Sequence, residues 1–360
     1  MSKQMNKKKI DIVGIVGLPA CYGGFESLVQ NLVDYQSDNI KYKVYCSSKA
    51  YYEKNGKYKN ATLKYLPFKA NGISSIPYDI LGLFLSMFRN IDVMLVLGVS
   101  GCIYLPIFRF FSSAKIVTNI DGLEWKRDKW GQMARRFLKL SEKMAIQYSD
   151  IIIADNEAIS QYILSEYGVV SKVIAYGGDH AVAKNTLPDH KDDYFLTVCR
   201  IEPENNIAMI LEAFSKTAQY LKFVGNWNSS VYGCQLKEKY SNLKNIDLID
   251  PIYDVEKLFE LRSKCKGYIH GHSAGGTNPS LVEAMHFCTP VIAFDCDFNR
   301  FSTEGSAFYF KSVEELVSIL LKKSSHHFNN DDDTCAKSMR EIALRRYTWE
   351  IITKMYEDLY

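Results

Sequence analysis

No stretch of this 360-residue sequence is both long enough and uncharged enough to cross a bilayer. The most apolar region runs from Ile76 to Phe111, but Arg89 and Asp92 divide it. Its longest uncharged piece, Val93 to Phe108, contains Gly98, Gly101 and Pro106. A spanning helix needs about 18 or more apolar residues, so this region reads as a buried helix followed by a parallel strand. Nine cysteines are present without one Cys-x-x-Cys pair, and several lie in apolar, strand-like runs. That spacing argues against zinc and disulfide frameworks and predicts reduced core thiols in a cytosolic chain. Lys7, Lys8 and Lys9 run directly into a strand pattern without the apolar stretch of a secretion leader, so export is not expected. A Gly-x-x-x-x-Gly-Lys phosphate loop, a His-Glu-x-x-His helix and a Gly-x-Ser-x-Gly elbow are also missing. Their absence weakens ATPase, zinc-protease and hydrolase readings.

Hydrophobic residues make up 47% of the chain, enough for a large core, and the length predicts two domains. The net charge of +3 is unevenly spread: residues 1–178 hold 23 Lys and Arg against 15 Asp and Glu, residues 179–360 hold 21 against 26. Within residues 41–69, eight lysines and one glutamate interleave with Tyr42, Tyr45, Tyr51, Tyr52, Tyr58 and Tyr65. A second basic stretch mixes Trp125 and Trp130 with Lys126, Arg127, Lys129, Arg135 and Arg136. Basic and aromatic residues together suit an anionic membrane surface, and simple solvated faces give the same counts. The acidic second half and the lack of recognition motifs argue against nucleic acid.

Short apolar runs alternate with helical patterns along the chain. KKIDIVGIVG, YKVYCSS, TLKYLPF, VMLVLGVS, AKIVTNID and DIIIADN read as strands, and a second series follows in DYFLTVCRI, LKFVGNW, NIDLIDPI, GYIHGHS and PVIAFD. Strands apolar throughout belong to parallel sheets covered on both faces. Two successive series predict an α/β protein of two doubly wound, Rossmann-like domains facing a cleft, with ligands beyond the carboxyl ends of the strands. The expected boundaries are residues 1–182, residues 183–345 after a polar linker at 183–193, and a terminal helix, 346–360, returning to the first domain. The segment 324–334, with His326, His327 and Asp331 to Asp333, reads as a solvated loop.

The densest chemistry lies in GHSAGGTNPSLVEAMHFCTPVIAFD, residues 271–295. Thr277-Asn278-Pro279 reads as a capped helix start with proline in the first turn, and Gly275-Gly276 lets backbone approach a ligand. Amides at such a start suit a diphosphate. Glu283, about one turn further in, leans back toward that end, where it could meet sugar hydroxyls. An ordinary strand-to-helix turn fits the same residues.

GGTNPSLVEAMHFCTPVIA, VCRIEPENN, GIVGLPACYGGFESLV and NIDGLEWKRDKWG occur in an order that resembles the retaining GT-B glycosyltransferases of family 4. From end to end the chain is similar to the bacterial rhamnosyltransferases of that class, which build capsule, O-antigen and cell-wall polysaccharides. The resemblance implies a ribose contact for Glu283 and a diphosphate contact for Arg200. It also places donor-binding groups at Gly275, Gly276, Thr277, Asn278 and Asn205. Two positions depart from the family pattern: Gly275 stands where its first glutamate falls, and Asn205 where its lysine falls. The departures imply a differently set donor sugar, dTDP-L-rhamnose, with a lipid-linked saccharide acceptor at the cytoplasmic face of the membrane. A UDP- or GDP-sugar donor and a catalytically silent binding module are the alternatives.

Gly23 and Gly24 open a first-domain helix, where they either face the donor phosphate or acceptor or form a plain turn. Asp121, after the strand KIVTNI, is the candidate for orienting or deprotonating the acceptor hydroxyl; turn capping is the rival, and Glu124 is a second candidate. Asp179, in YGGD, resembles a family loop and could equally cap a turn. Asp295-Cys296-Asp297 matches the Asp-x-Asp metal motif of the other glycosyltransferase fold, but the GT-B resemblance implies no metal and no cofactor.

Overall fold

A computed structural model of the chain describes residues 7–21, 23–126, 131–182, 186–188, 190–323 and 330–360. The chain divides into two compact units, one of residues 1–176 with 349–360 and one of residues 177–348. The second unit therefore begins at Gly177, six residues before the expected boundary at 183. The reason is local: the Gly178 amide donates to the Tyr347 carbonyl at 2.8 Å, and residues 179–181 pack against the helix Pro279–Met285.

The first unit is built on an eight-stranded sheet. Its strands are β1 (Lys8–Val13), β2 (Ile40–Ser47), β3 (Lys57–Tyr58), β4 (Ala61–Leu66), β5 (Val93–Leu97), β6 (Lys115–Asn119), β7 (Ile151–Ala154) and β8 (Lys172–Val173). They lie in the order β3-β4-β2-β1-β5-β6-β7-β8, and only β3 runs antiparallel to its neighbour. The order reverses direction at β1, which pairs with β2 on one side and β5 on the other, so the loops after β1 and β5 flank the switch point. Every side chain of β5 is buried, as a strand covered on both faces requires. The terminal helix Trp349–Glu357 belongs to this unit. Tyr356 OH accepts from Asn119 Nδ2 at 2.8 Å, and Lys8 Nζ donates to the Tyr360 carbonyl at 2.8 Å.

The second unit carries a six-stranded, fully parallel sheet. Its strands β9 (Asp192–Val198), β10 (Leu221–Val224), β11 (Ile246–Ile249), β12 (Cys265–His270), β13 (Val291–Phe294) and β14 (Phe308–Phe310) are ordered β11-β10-β9-β12-β13-β14. Phe195, Ile207, Leu211, Phe214, Phe223 and Trp227 form the centre of its core. Because β9 and β12 are neighbours, the loops leaving their carboxyl ends emerge side by side.

Two expectations about polar stretches change. Residues Asn330–Arg346 form a helix, with Asp331, Asp332 and Asp333 in its first turn, where acidic groups complement the helix dipole. Asp332 is buried in an ion pair with Lys323, so this end of the segment is not a solvated loop; His326 and His327 lie outside the described residues. In the 41–69 stretch, Tyr42 and Tyr45 are buried on β2 and only Tyr52 is fully exposed, so the lysine-tyrosine interleaving is not one surface. Arg127, Lys129 and Trp130 of the second basic stretch lie outside the described residues. Among the described residues no helix is long and apolar enough to cross a membrane.

Asp79 is buried beneath the switch point. It accepts hydrogen bonds from Ser100 and the Gly14 amide, while its Oδ1 has no partner among the described residues. Burial pushes its carboxyl up to about 7. An acid raised in the fold contributes fully below its unfolded value of 3.8, and that contribution is lost as pH rises toward 7. Asp79→Asn removes the titration. The variant should therefore gain on the native chain across pH 4 to 7 and exceed it by roughly 1–4 kcal/mol at pH 8, read by urea denaturation.

Candidate functional site

The second unit gathers its polar side chains where β9, β12 and β13 end. After β9, residues 199–206 turn through Pro203–Asn205 into the helix Ile207–Ser215; after β12, residues 271–278 lead into Pro279–Met285. Direct bonds fix the two loops to each other. The Ser273 amide and hydroxyl both donate to the Glu204 carbonyl, at 3.0 and 2.9 Å, and Asn206 Nδ2 donates to the Gly271 carbonyl at 2.8 Å. The short helix after β13, Asp297–Ser302, closes the third side, with Asn299 Nδ2 donating to the His272 and Phe294 carbonyls at 2.8 Å each.

Arg200 projects from this frame with 61% of its side chain exposed, and Glu202, at 3.5 Å, is its one ion-pair partner among the described residues. Gly275 takes φ +115°, a backbone state that side-chain-bearing residues avoid, and a Cβ there would meet His272 Nε2 at 3.0 Å. The amides of Gly275 and Gly276 have no hydrogen-bond partner among the described residues. Thr277 is buried. Asn278 caps the helix by accepting from the Ser280 amide, and Pro279 has no N–H. The helix has only seven residues, so the loop amides and the guanidinium, rather than a long helix dipole, supply the anion-binding capacity.

Asn205 does not present its amide to a ligand. It is buried, its Nδ2 donates to the Arg200 carbonyl at 2.7 Å, and its Oδ1 accepts from His272 Nδ1 at 2.8 Å. It holds the two loops in register, which corrects the donor contact expected for it. His270, at the end of β12, is buried with Nε2 unpartnered among the described residues; burial and then His272 push it well below the usual histidine range, so its ring is neutral.

Glu283 is reached from two directions. Its Oε2 pairs with the buried Arg262, and its Oε1 lies 3.3 Å from His180 Nε2. Burial pushes its carboxyl up, but Arg262 and then His180 outweigh burial and hold it below the ordinary glutamate value. A ribose hydroxyl at Glu283 would therefore share Oε1 with His180. On the helix Val255–Lys264, Arg262 follows Leu258 and Phe259 at helical spacing and so lies on its apolar side, and His180 directly follows the YGGD stretch already singled out. Gly178 explains the close approach: a Cβ there would fall 2.7 Å from the Val282 carbonyl and the Glu283 nitrogen, both backbone. Gly178→Ala should push residues 177–181 away, detach His180 from Glu283 and destabilise the unit by about 1–3 kcal/mol, measured by thermal denaturation.

Asp295 is engaged by Arg300 at 2.5 Å and Lys311 at 3.5 Å. Among the described residues no group of three or more His, Cys, Asp or Glu could hold a metal.

In the first unit, two amides around the glycine loop after β1 are held by the protein's own acid. Buried Glu26 accepts from the Val16 amide at 2.7 Å through Oε1 and from the Gly23 amide at 3.0 Å through Oε2. A carboxylate thus takes the Gly23 amide, so that amide is not offered to a donor phosphate. Asp121 follows β6 in the left-handed region, φ +59°, a state that aspartate tolerates better than most residues. Its amide donates to Asn119 Oδ1 at 3.0 Å, and the same Asn119 is held by Tyr356. The next turn, Glu124–Lys126, is anchored by Trp125 Nε1 donating to buried Glu142 at 3.1 Å.

Residues 180–303 match the family described as glycosyl transferases group 1, and residues 7–179 match a domain family of unknown function, DUF1972. With the two Rossmann-like units, these define the class: a glycosyltransferase of the GT-B fold. Among solved structures, the chain is similar to sucrose-phosphate synthase from Thermosynechococcus elongatus, at 15% identity and TM-score 0.79 over 98% of both chains. It is also similar to a glycosyltransferase from Rickettsia africae, at 14% identity and TM-score 0.73 over 99% of this chain and 98% of that one. Anabaena HepE in complex with UDP matches at 13% identity and TM-score 0.71 over 98% of both. No curated protein matches the sequence.

Proposed function

We propose that the chain transfers L-rhamnose from dTDP-L-rhamnose, with retention, to a lipid-linked saccharide during surface polysaccharide assembly on the cytoplasmic face of the membrane. The observation that carries the nucleotide-sugar part is the bonded pair of loops in the second unit. They bring an exposed arginine and two unpartnered glycine amides to the carboxyl ends of adjacent strands. A diphosphate needs such a set, whereas in the first unit's glycine loop the Val16 and Gly23 amides are taken by Glu26.

In this mechanism the diphosphate departs while the acceptor oxygen approaches from the same face of the sugar, and the leaving phosphate oxygen takes the acceptor proton. Arg200 and the Gly275 and Gly276 amides stabilise the charge that develops on the leaving group. Asp121, fixed by Asn119, orients the acceptor hydroxyl. Rhamnose is supported by the four-motif resemblance and by Gly275, which stands where the family pattern has a glutamate.

One comparison favours a second donor: Anabaena HepE has been solved with UDP-glucose, which supports a UDP-sugar for this chain. Incubating the protein with a synthetic lipid-linked monosaccharide and a panel of dTDP-, UDP- and GDP-sugars, read by mass spectrometry, separates the two. Product from dTDP-L-rhamnose alone supports the proposal; product from UDP-glucose alone selects the second reading; no product from any donor contradicts both.

A further inference from the structure

Three neighbouring helices of the first unit, Ser75–Met87, Leu105–Phe111 and Gln132–Tyr148, turn apolar stripes to solvent. Phe84 and Phe88, four residues apart, form an edge-to-face pair at 5.2 Å with Phe88 69% exposed. On the next helix, Ile107, Phe110 and Phe111 share one face, with Phe110 82% and Phe111 60% exposed. The third helix adds exposed Met133 and Leu140. Aromatic side chains exposed to this degree on adjoining helices are not the scattered apolar residues of an ordinary surface.

The charges on the same helices are one-sided. Their only two acids, Asp79 and Glu142, are buried, whereas the five basic residues are Arg109, Arg135, Arg136, Lys139 and Lys143. Arg136 and Lys143 are exposed, on the helix face that also bears Met133 and Leu140, and neither is in an ion pair among the described residues. An apolar face edged by unpaired cations, with every acid of its helices withdrawn inside, is complementary to a surface that is apolar below and negative at its rim.

We propose that this three-helix face docks on an anionic lipid bilayer, with Phe88, Phe110 and Phe111 entering the headgroup boundary and Arg136 and Lys143 meeting lipid phosphates. The inference rests on the membrane-surface part of the proposed function and moves that contact from the lysine-tyrosine stretch at 41–69, where Tyr42 and Tyr45 are core residues. Aromatic rings suit the interface and basic side chains the negative leaflet.

The test is co-sedimentation of the full chain with phosphatidylcholine vesicles, with and without about one-third phosphatidylglycerol, a content chosen to give a strongly negative surface. The native chain should bind the anionic vesicles and weaken in high salt. Phe88→Ser with Phe110→Ser and Phe111→Ser should lower the partition at least about tenfold, and Arg136→Glu with Lys143→Glu should lower it on anionic vesicles alone. Both variants should keep the native melting temperature and nucleotide-sugar hydrolysis. Failure of the native chain to sediment, or unchanged sedimentation of the phenylalanine variant, would overturn the proposal. So would a native dimer in analytical ultracentrifugation that the phenylalanine variant converts to monomer, since a second copy would then cover the face. Vesicle binding by a chain inactive on every nucleotide sugar would preserve this inference while removing the proposed function.

Discussion

Arg200→Ala should abolish nearly all transfer, lowering kcat by roughly 10²–10³-fold, the loss typical of removing one donor aimed at developing charge. The native stability should stay within about 0.5 kcal/mol, because the side chain is largely exposed and its one ion pair among the described residues is a 3.5 Å contact with Glu202. Arg200→Lys should recover only part of the activity, since an ammonium cannot bind two phosphate oxygens side by side. Kinetics with a saturating donor, paired with a denaturation curve for each variant, separate these effects. A proportionate loss of stability and activity would place Arg200 in the scaffold instead.

The opposite pattern is expected beneath the site. Arg262→Ala leaves the Glu283 carboxylate mostly buried with His180 as its remaining polar neighbour, and should destabilise the second unit by about 3–5 kcal/mol. Replacing both partners, Arg262→Met with Glu283→Leu, should restore most of that stability, since no charge is then left buried. Acid adds a sign. The Glu283 carboxyl is held below its ordinary value of 4.5, so its contribution is complete above that pH and disappears as pH falls through the depressed folded value. The stability gap between the native chain and Glu283→Gln should accordingly be constant from neutral pH to about 5 and close at lower pH. Urea unfolding across this range is the check.

Much of this was legible from residues alone. The strands of both sheets stand out as short apolar runs, because parallel strands are covered on two faces and have little room for polar side chains. Short edge strands are the exceptions: β3 and β8 have two residues each and β14 three, too few for a pattern. Arg200 and Gly275-Gly276-Thr277 could be chosen because a lone arginine and paired glycines at strand ends are chemically distinctive. What they rest on could not. Arg262 is one cation among many on a charged helix, and only the fold shows that it points inward to Glu283.

Glu26 was open to discovery. A glutamate three residues after the helix-opening Gly23 has the spacing of a residue that reaches back to the cap amide, and here it does so. Tyr42 and Tyr45 misled for a simpler reason: on β2, a strand inside the sheet, these tyrosines are core residues beside lysines.

Hydrogen exchange read by mass spectrometry, with and without dTDP or UDP, tests the central claim most directly. A nucleoside diphosphate seated on the second unit should slow exchange in peptides covering residues 199–206 and 271–278, and the protection should vanish in Arg200→Ala. Protection confined to the glycine loop at residues 14–26, or no protection at saturating nucleotide, would contradict it.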